Sequence, residues 1–192
     1  VPKPNPAALD FLLHRQSLPA KTFTGPVPTR VELEILLTAA ARVPDHGKLE
    51  PWRFIVLERG AMARLADLAE ARARALGLDD EKIAKGRGQF DTGLLAVVVV
   101  ASPKPSEKIP PLEQTLSAGA VCLGLLNAAT AAGWGANWLS GWPSHDRGFV
   151  TEAFGLEPDE FVAGIVHIAT PTLVPPDRPR PDLSRLTRWM TA

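Results

Sequence analysis

"GLLAVVVVAS", residues 93–102, decides how the rest of the chain must be arranged. Its valines favour an extended backbone, because a branched Cβ is stiff, and no polar residue recurs at alternate positions to face water. A strand of this kind is buried on both faces and lies inside a sheet with helices packed on either side. "WRFIVLE" (52–58) and "EFVAGIVHIAT" (160–170) supply two further apolar strands.

Between the strands the apolar period is helical. "PAALDFLLHRQS" (6–17) sets Leu9, Leu12 and Leu13 on one face of a short amphipathic helix. In "TRVELEILLTAAARVP" (29–44), Thr29 with Glu32 three positions on reads as a capping box, Val31, Leu33, Leu36, Leu37 and Ala40 form the apolar face, and Pro44 stops the helix. "GAMARLADLAEARARAL" (60–76) is an Ala-rich helix, and residues 79–90 are a charged helix or loop. After the Pro-rich connector "PKPSEKIPP", the segment 112–134 is the longest apolar helix, rich in small residues that let backbones approach closely. "GANWLSGW" (135–142) reads as a short strand or turn, "HDRGFVTEAFGL" (145–156) as a helix, and the tail as Pro-rich with a short final helix. The fold class is therefore α+β, an α/β sandwich whose strand directions the sequence order leaves open.

A length of 192 residues suits one domain, 1–192. Lys plus Arg and Asp plus Glu balance at 21 each, which offers no footprint for a nucleic acid. The single cysteine, Cys122, excludes an internal disulfide and reads as a buried thiol in an apolar run. No run is long and apolar enough to span a membrane, and "VPKPNPAALD" lacks a signal-peptide core, so a cytoplasmic location is expected. His14, His46, His145 and His167 are scattered without metal-ligand spacing, so no metal is expected. His167, inside an apolar strand, reads as a hydrogen-bonded core or interface residue.

Three stretches carry binding chemistry. "HRQS" (14–17) places the donor fork of Arg15 and the hydroxyl of Ser17 at a helix end, a pattern that suits a phosphate or simply a solvated corner. "ARVPDHGKLEPW" (41–52) brackets His46, Gly47 and Lys48 between prolines, as a binding loop or a plain helix-to-strand turn. "GWGANWLSGW" (133–142) lacks the G-x-G-x-x-G spacing and follows a helix, so it reads as a close-approach turn facing a flat ligand, or as a packed Trp-rich turn.

Taken in order, "HRQS", "AARVPDHGKLEPWRFIVLE", "EQTLSAGAVCLGLLNAATAAGWGANWLSG" and "GIVHIATP" resemble the FMN-dependent nitroreductase family, above all its small bacterial branch with PDH in the loop. The resemblance implies a mostly antiparallel central sheet flanked by helices, a long central helix, and a homodimer with FMN at the subunit interface. Carried over by position, the phosphate corner falls on Arg15, Gln16 and Ser17, with Gln16 where a second arginine is usual. Arg42 and His46 fall where relatives contact FMN, and Trp138, Leu139 and Ser140 fall on the turn that meets it from the other side. Lys48 stands in place of an asparagine and Glu50 in place of a glutamine, with Lys48 a candidate cation for the flavin pyrimidine edge. Arg178 or Arg180 is a candidate for a further phosphate contact. The implied activity is ping-pong transfer of hydride from NAD(P)H through FMN to a nitroaromatic, quinone or related acceptor, with no catalytic side chain required. A flavin-binding protein without turnover is the alternative. The segment 112–134 is expected to carry much of the dimer interface.

Overall fold

The computed structural model describes residues 3–191. Five strands, β1 (Phe23–Thr24), β2 (Trp52–Glu58), β3 (Leu95–Ala101), β4 (Gly135–Leu139) and β5 (Phe161–Pro171), form one sheet in which every pairing is antiparallel. The helices are α1 (Pro6–His14), α2 (Arg30–Ala40), α3 (Arg59–Ala75), α4 (Asp80–Asp91), α5 (Pro111–Ala131), α6 (Trp142–His145), α7 (Arg147–Phe154) and α8 (Leu183–Leu186). β3 lies between β2 and β5, and the long β5 pairs along its other edge with β4 and then β1. None of the helices among the described residues is long and apolar enough to cross a membrane.

The valine run does what its composition requires. All seven residues of β3 are buried, and the pleat sends them alternately to two cores. Ala96, Val98 and Val100 join Met62, Leu65 and Ala69 of α3, Phe90 of α4 and Phe149 of α7 on one side. Leu95, Val97 and Val99 join Leu33 and Leu36 of α2 and Val121, Cys122 and Leu125 of α5 on the other. Burying each valine is worth about 1.5–3 kcal/mol, so this strand ties both helical layers to one sheet.

Several expectations are corrected. Of the stretch read as a short strand or turn, "GANWL" is a strand that pairs fully with β5, while the two-residue β1 that extends the same edge was not expected. Neither is apolar throughout, because each needs only one covered face. α1 stops at His14, not Ser17, and its Leu9, Leu12 and Leu13 are all exposed, as is Val31 of α2. The helix expected over 145–156 breaks at Asp146, which leaves α6 and caps α7 by accepting from the Phe149 amide at 2.7 Å. The capping box at Thr29 and Glu32 is present. α2 and α5 cross where both are small: a Cβ added at Gly124 would sit 3.0 Å from the Ala40 carbonyl oxygen. Gly124→Val should therefore force the layers apart and lower stability by about 1–3 kcal/mol in urea denaturation. An unchanged midpoint would mean that the crossing is not tight.

Two buried titratable groups set the acid behaviour. Arg53 on β2 makes a bidentate pair with Glu160 (2.8 and 2.7 Å), and the Glu157 amide donates to the same carboxylate at 3.1 Å. These bonds to the charged form, the Arg53 pair foremost, hold the Glu160 carboxyl at about 2, below its ordinary 4.5. His167 on β5 is only 2 % exposed, which fits the core half of the core-or-interface reading, but its Nε2 finds no hydrogen-bond partner among the described residues. Burial pushes its imidazole down to about 4 from 6.5, so it is neutral near pH 7. Both folded values are depressed, so each group's stabilisation is complete above its unfolded value and is lost as pH falls towards its folded one. Stability should fall from pH 6.5 to 4 through His167 and from 4.5 to 2 through Glu160. His167→Leu should flatten the upper leg alone in a series of denaturation curves, and a slope that persists there would contradict the assignment.

Candidate functional site

The segment after α1 is extended and is stitched to the sheet from both sides. Leu18 donates its amide to the Ala136 carbonyl at 3.1 Å, and the Asn137 side-chain amide donates to the Leu18 carbonyl at 2.6 Å. These bonds set Arg15, Gln16 and Ser17 beside Trp138. The Trp138 indole presses on β5 where only glycine fits, since a Cβ at Gly164 would lie 2.1 Å from its Nε1. A cavity of about 460 Å³ results, bounded by the Arg15–Ser17 corner, Asn137 and Trp138 on one side and by Pro175, Asp177, Arg178 and Arg180 of the tail on the other. Three guanidinium groups meet one carboxylate there, so the cavity favours an anion. Arg15 reaches Ser17 Oγ through Nη2 at 3.4 Å, while its Nε is shielded from solvent and has no acceptor among the described residues. Arg180 is held by Asp177 at 2.7 Å.

The 44–50 loop is shaped by Asp45, whose carboxylate accepts from the amides of Leu49 (3.2 Å) and Glu50 (2.8 Å). The winding puts Gly47, Lys48 and Glu50 at φ of 73°, 54° and 48°. For a lysine and a glutamate this left-handed backbone costs on the order of 1 kcal/mol each, so the surroundings must hold it. α5 and the connector before it do so. The Ser117 hydroxyl donates to the Pro44 carbonyl, His46 Nδ1 meets Glu113 Oε2 at 2.7 Å, and Gly47 packs so closely on Ile109 that a Cβ would lie 2.3 Å from its Cδ1. Lys48 and Glu50 edge a second cavity, about 400 Å³, with Trp52 and Phe54 in its wall.

Leu139 and Ser140 follow β4 into a third cavity, about 460 Å³, formed with Gly141, Trp142 and Pro143 against Lys82, Lys85, Gly86 and Gln89 of α4.

Residues 12–170 match the model of the nitroreductase family. The chain belongs to this family. It is 36% identical over 166 residues, 86% of this chain and 89% of the relative, to "Putative NAD(P)H nitroreductase YdjA" of Escherichia coli (strain K12). It is 38% identical over 165 residues, 85% and 88% of the two chains, to "Putative NAD(P)H nitroreductase" of Haemophilus influenzae. Among solved structures, a nitroreductase-like family protein from Bacillus cereus superposes with a TM-score of 0.79 over 99% of both chains at 21% identity. A "putative nitroreductase in complex with fmn" from Desulfovibrio desulfuricans superposes at 0.73 over 98% of this chain and 99% of that one, at 20% identity. These two likenesses establish the nitroreductase fold.

Within this nitroreductase-family chain the nine expected site residues do not form one group. Arg15, Gln16, Ser17 and Trp138 share the arginine-rich cavity, Lys48 lies in the second, and Leu139 and Ser140 in the third. Arg42 is exposed, and His46 is turned to Glu113. Gln16 spends its amide on the Pro175 carbonyl (3.2 Å), which docks the tail, while Arg178 and Arg180 supply the cations beside Arg15. Of the two tail arginines left as alternatives, both line this cavity. Asn137 was not foreseen, and its position two residues past a glycine in a marginal strand carried no signal for it. Asp45→Ala removes both amide contacts from a strained loop and should lower stability by about 1–3 kcal/mol, measured in urea. A variant as stable as the parent would show that the loop is held from elsewhere.

Proposed function

We propose that this nitroreductase-family protein is an FMN-dependent NAD(P)H oxidoreductase that reduces nitroaromatic, quinone or related acceptors as a homodimer, with FMN held between two chains. The observation that carries the reading is the cavity of Arg15, Arg178 and Arg180, with the Arg15 Nε shielded and unpartnered. A buried guanidinium nitrogen without an acceptor is costly, and a phosphate oxygen is the acceptor that its planar fork suits. Ser17 and Asn137 add a hydroxyl and an amide at the same place. Trp138, braced by Gly164, offers a partly exposed apolar surface for the rest of the cofactor.

The chemistry FMN supplies when bound is two-electron redox, with hydride taken up from NAD(P)H and passed to the acceptor in separate half-reactions at one ring face. The chain's own part is to bind the phosphate, orient the ring and exclude water. Its dimeric form is supported by α5, where Leu112, Leu116 and Leu123 are 67%, 64% and 47% exposed along one stripe. The same helix clamps the 44–47 loop, so pairing through α5 would bring that loop close to the seam between the two chains.

Purified protein should be yellow and should be bleached rapidly by NADH or NADPH, then reoxidised by an added quinone. Colourless protein that takes up no FMN at micromolar concentration sinks the reading, and bound flavin without bleaching would leave a binding protein in its place. Arg15→Ala should weaken FMN binding by about 1.5–3 kcal/mol, roughly 10- to 150-fold, in equilibrium titration. An unchanged dissociation constant would remove Arg15 from the site, and sedimentation of a flavin-loaded monomer would overturn the shared site.

A further inference from the structure

We propose that the cavity between α5, the corner from α6 to α7 and the start of β5 binds an aromatic carboxylate, with its ring against Gly119 and Phe161 and its charge towards His145 and Arg147. The site stands apart from the flavin reading. It shares no residue with the three cavities described above, and none with the stretches 14–17, 41–52 and 133–142.

The cavity, about 360 Å³, owes its room to a missing side chain on α5. Gly119 lies in the interior of a 21-residue helix, where glycine is less favourable than alanine. A Cβ at Gly119 would meet nothing within 4 Å, whereas one at Gly124, further along the same helix, would press on Ala40. Packing within the chain therefore requires Gly124 but not Gly119, and what Gly119 provides is space. Val162 and Ala163 line that space, and Phe161, 41% exposed, stands open beside it, so the walls suit the face of an aromatic ring.

The rim favours an anion. His145 is exposed at the end of α6, and its ring makes no hydrogen bond among the described residues. Arg147 donates through Nη1 to the Glu160 carbonyl at 2.9 Å and through Nη2 to the carbonyls of Leu156 and Glu157 at 2.6 and 2.7 Å. Neutral carbonyls fix the guanidinium without cancelling its charge, unlike the carboxylates that hold Arg53 and Arg72. Glu160 supplies the one carboxylate of the lining, and it is already met by both arms of Arg53 and by the Glu157 amide. One fixed cation and one imidazole match a single negative charge. A phosphate dianion would call for the cluster of guanidinium groups found at the Arg15 corner.

Isothermal titration of the purified protein with 2-naphthoate and with its neutral counterpart 2-naphthamide tests the assignment. The parent should bind the acid roughly 10-fold more tightly than the amide, as for a charge-assisted hydrogen bond. His145→Ala should remove most of that difference, and Gly119→Leu, which fills the space with a good helix former, should abolish binding of both. Phe161→Ala, a change at a partly exposed position, should weaken acid and amide alike by about 5-fold, and it carries the test if Gly119→Leu fails to fold. Equal affinity for acid and amide in the parent, or the same affinities in every variant, overturns the proposal. So does a lack of binding at millimolar concentration, the result expected if a second copy of the chain fills the space at Gly119. Displacement of naphthoate by menadione, which would place the ligand at the flavin, overturns it too while leaving the flavin reading intact.

Discussion

The double burial of β3 is the constraint on which the molecule depends. A strand with branched side chains on both faces cannot lie at a surface, and the antiparallel pleat divides those side chains equally between two helical layers. β2 is covered only in part, whereas β5 is buried on both faces from Gly164 to Ala169 and, being the longest strand, has an edge left over for β4 and β1. That edge carries the segment between α1 and β1 through the bonds of Leu18 and Asn137, which is how a corner near the start of the chain comes to face its tail.

α5 ties the core to the loops. Its inner face contributes Val121, Cys122 and Leu125 to one core, and Gly124 lets α2 approach to backbone distance. Its first two turns supply Glu113 and Ser117 to the 44–47 loop. The left-handed backbone at Lys48 and Glu50 thus lies in a loop held by a helix that also packs on the sheet. Cys122, buried in this helix with its thiol pushed up to about 12 by burial, is a packing residue and stays protonated.

Charge is placed with similar economy. Arg53, Arg72 and Arg87 are engaged by carboxylates, with Arg72 held by Asp146, the residue that also caps α7. Arg147 is spent on the carbonyls of Leu156, Glu157 and Glu160. Against that background Arg15 differs, with an Nε that is shielded from solvent and finds no acceptor among the described residues.

The sequence by itself determined the layers. The valine run, the capping box at Thr29 and Glu32, the small residues of α5 and the ordered motifs of the nitroreductase family were all legible, because burial and capping are local demands that a side chain meets at its own position. β1 was not, and β4 was legible only as a short strand or turn, since each gains its stability from pairing with β5 and carries little pattern of its own. Nor could the sequence divide the site. Only the tertiary structure decided that Gln16 docks the tail, that Arg178 and Arg180 join Arg15, and that Lys48 and Ser140 face separate cavities. The first two depend on contacts between segments more than a hundred residues apart, such as Gln16 with Pro175, and so on how the layers close over the doubly buried strand.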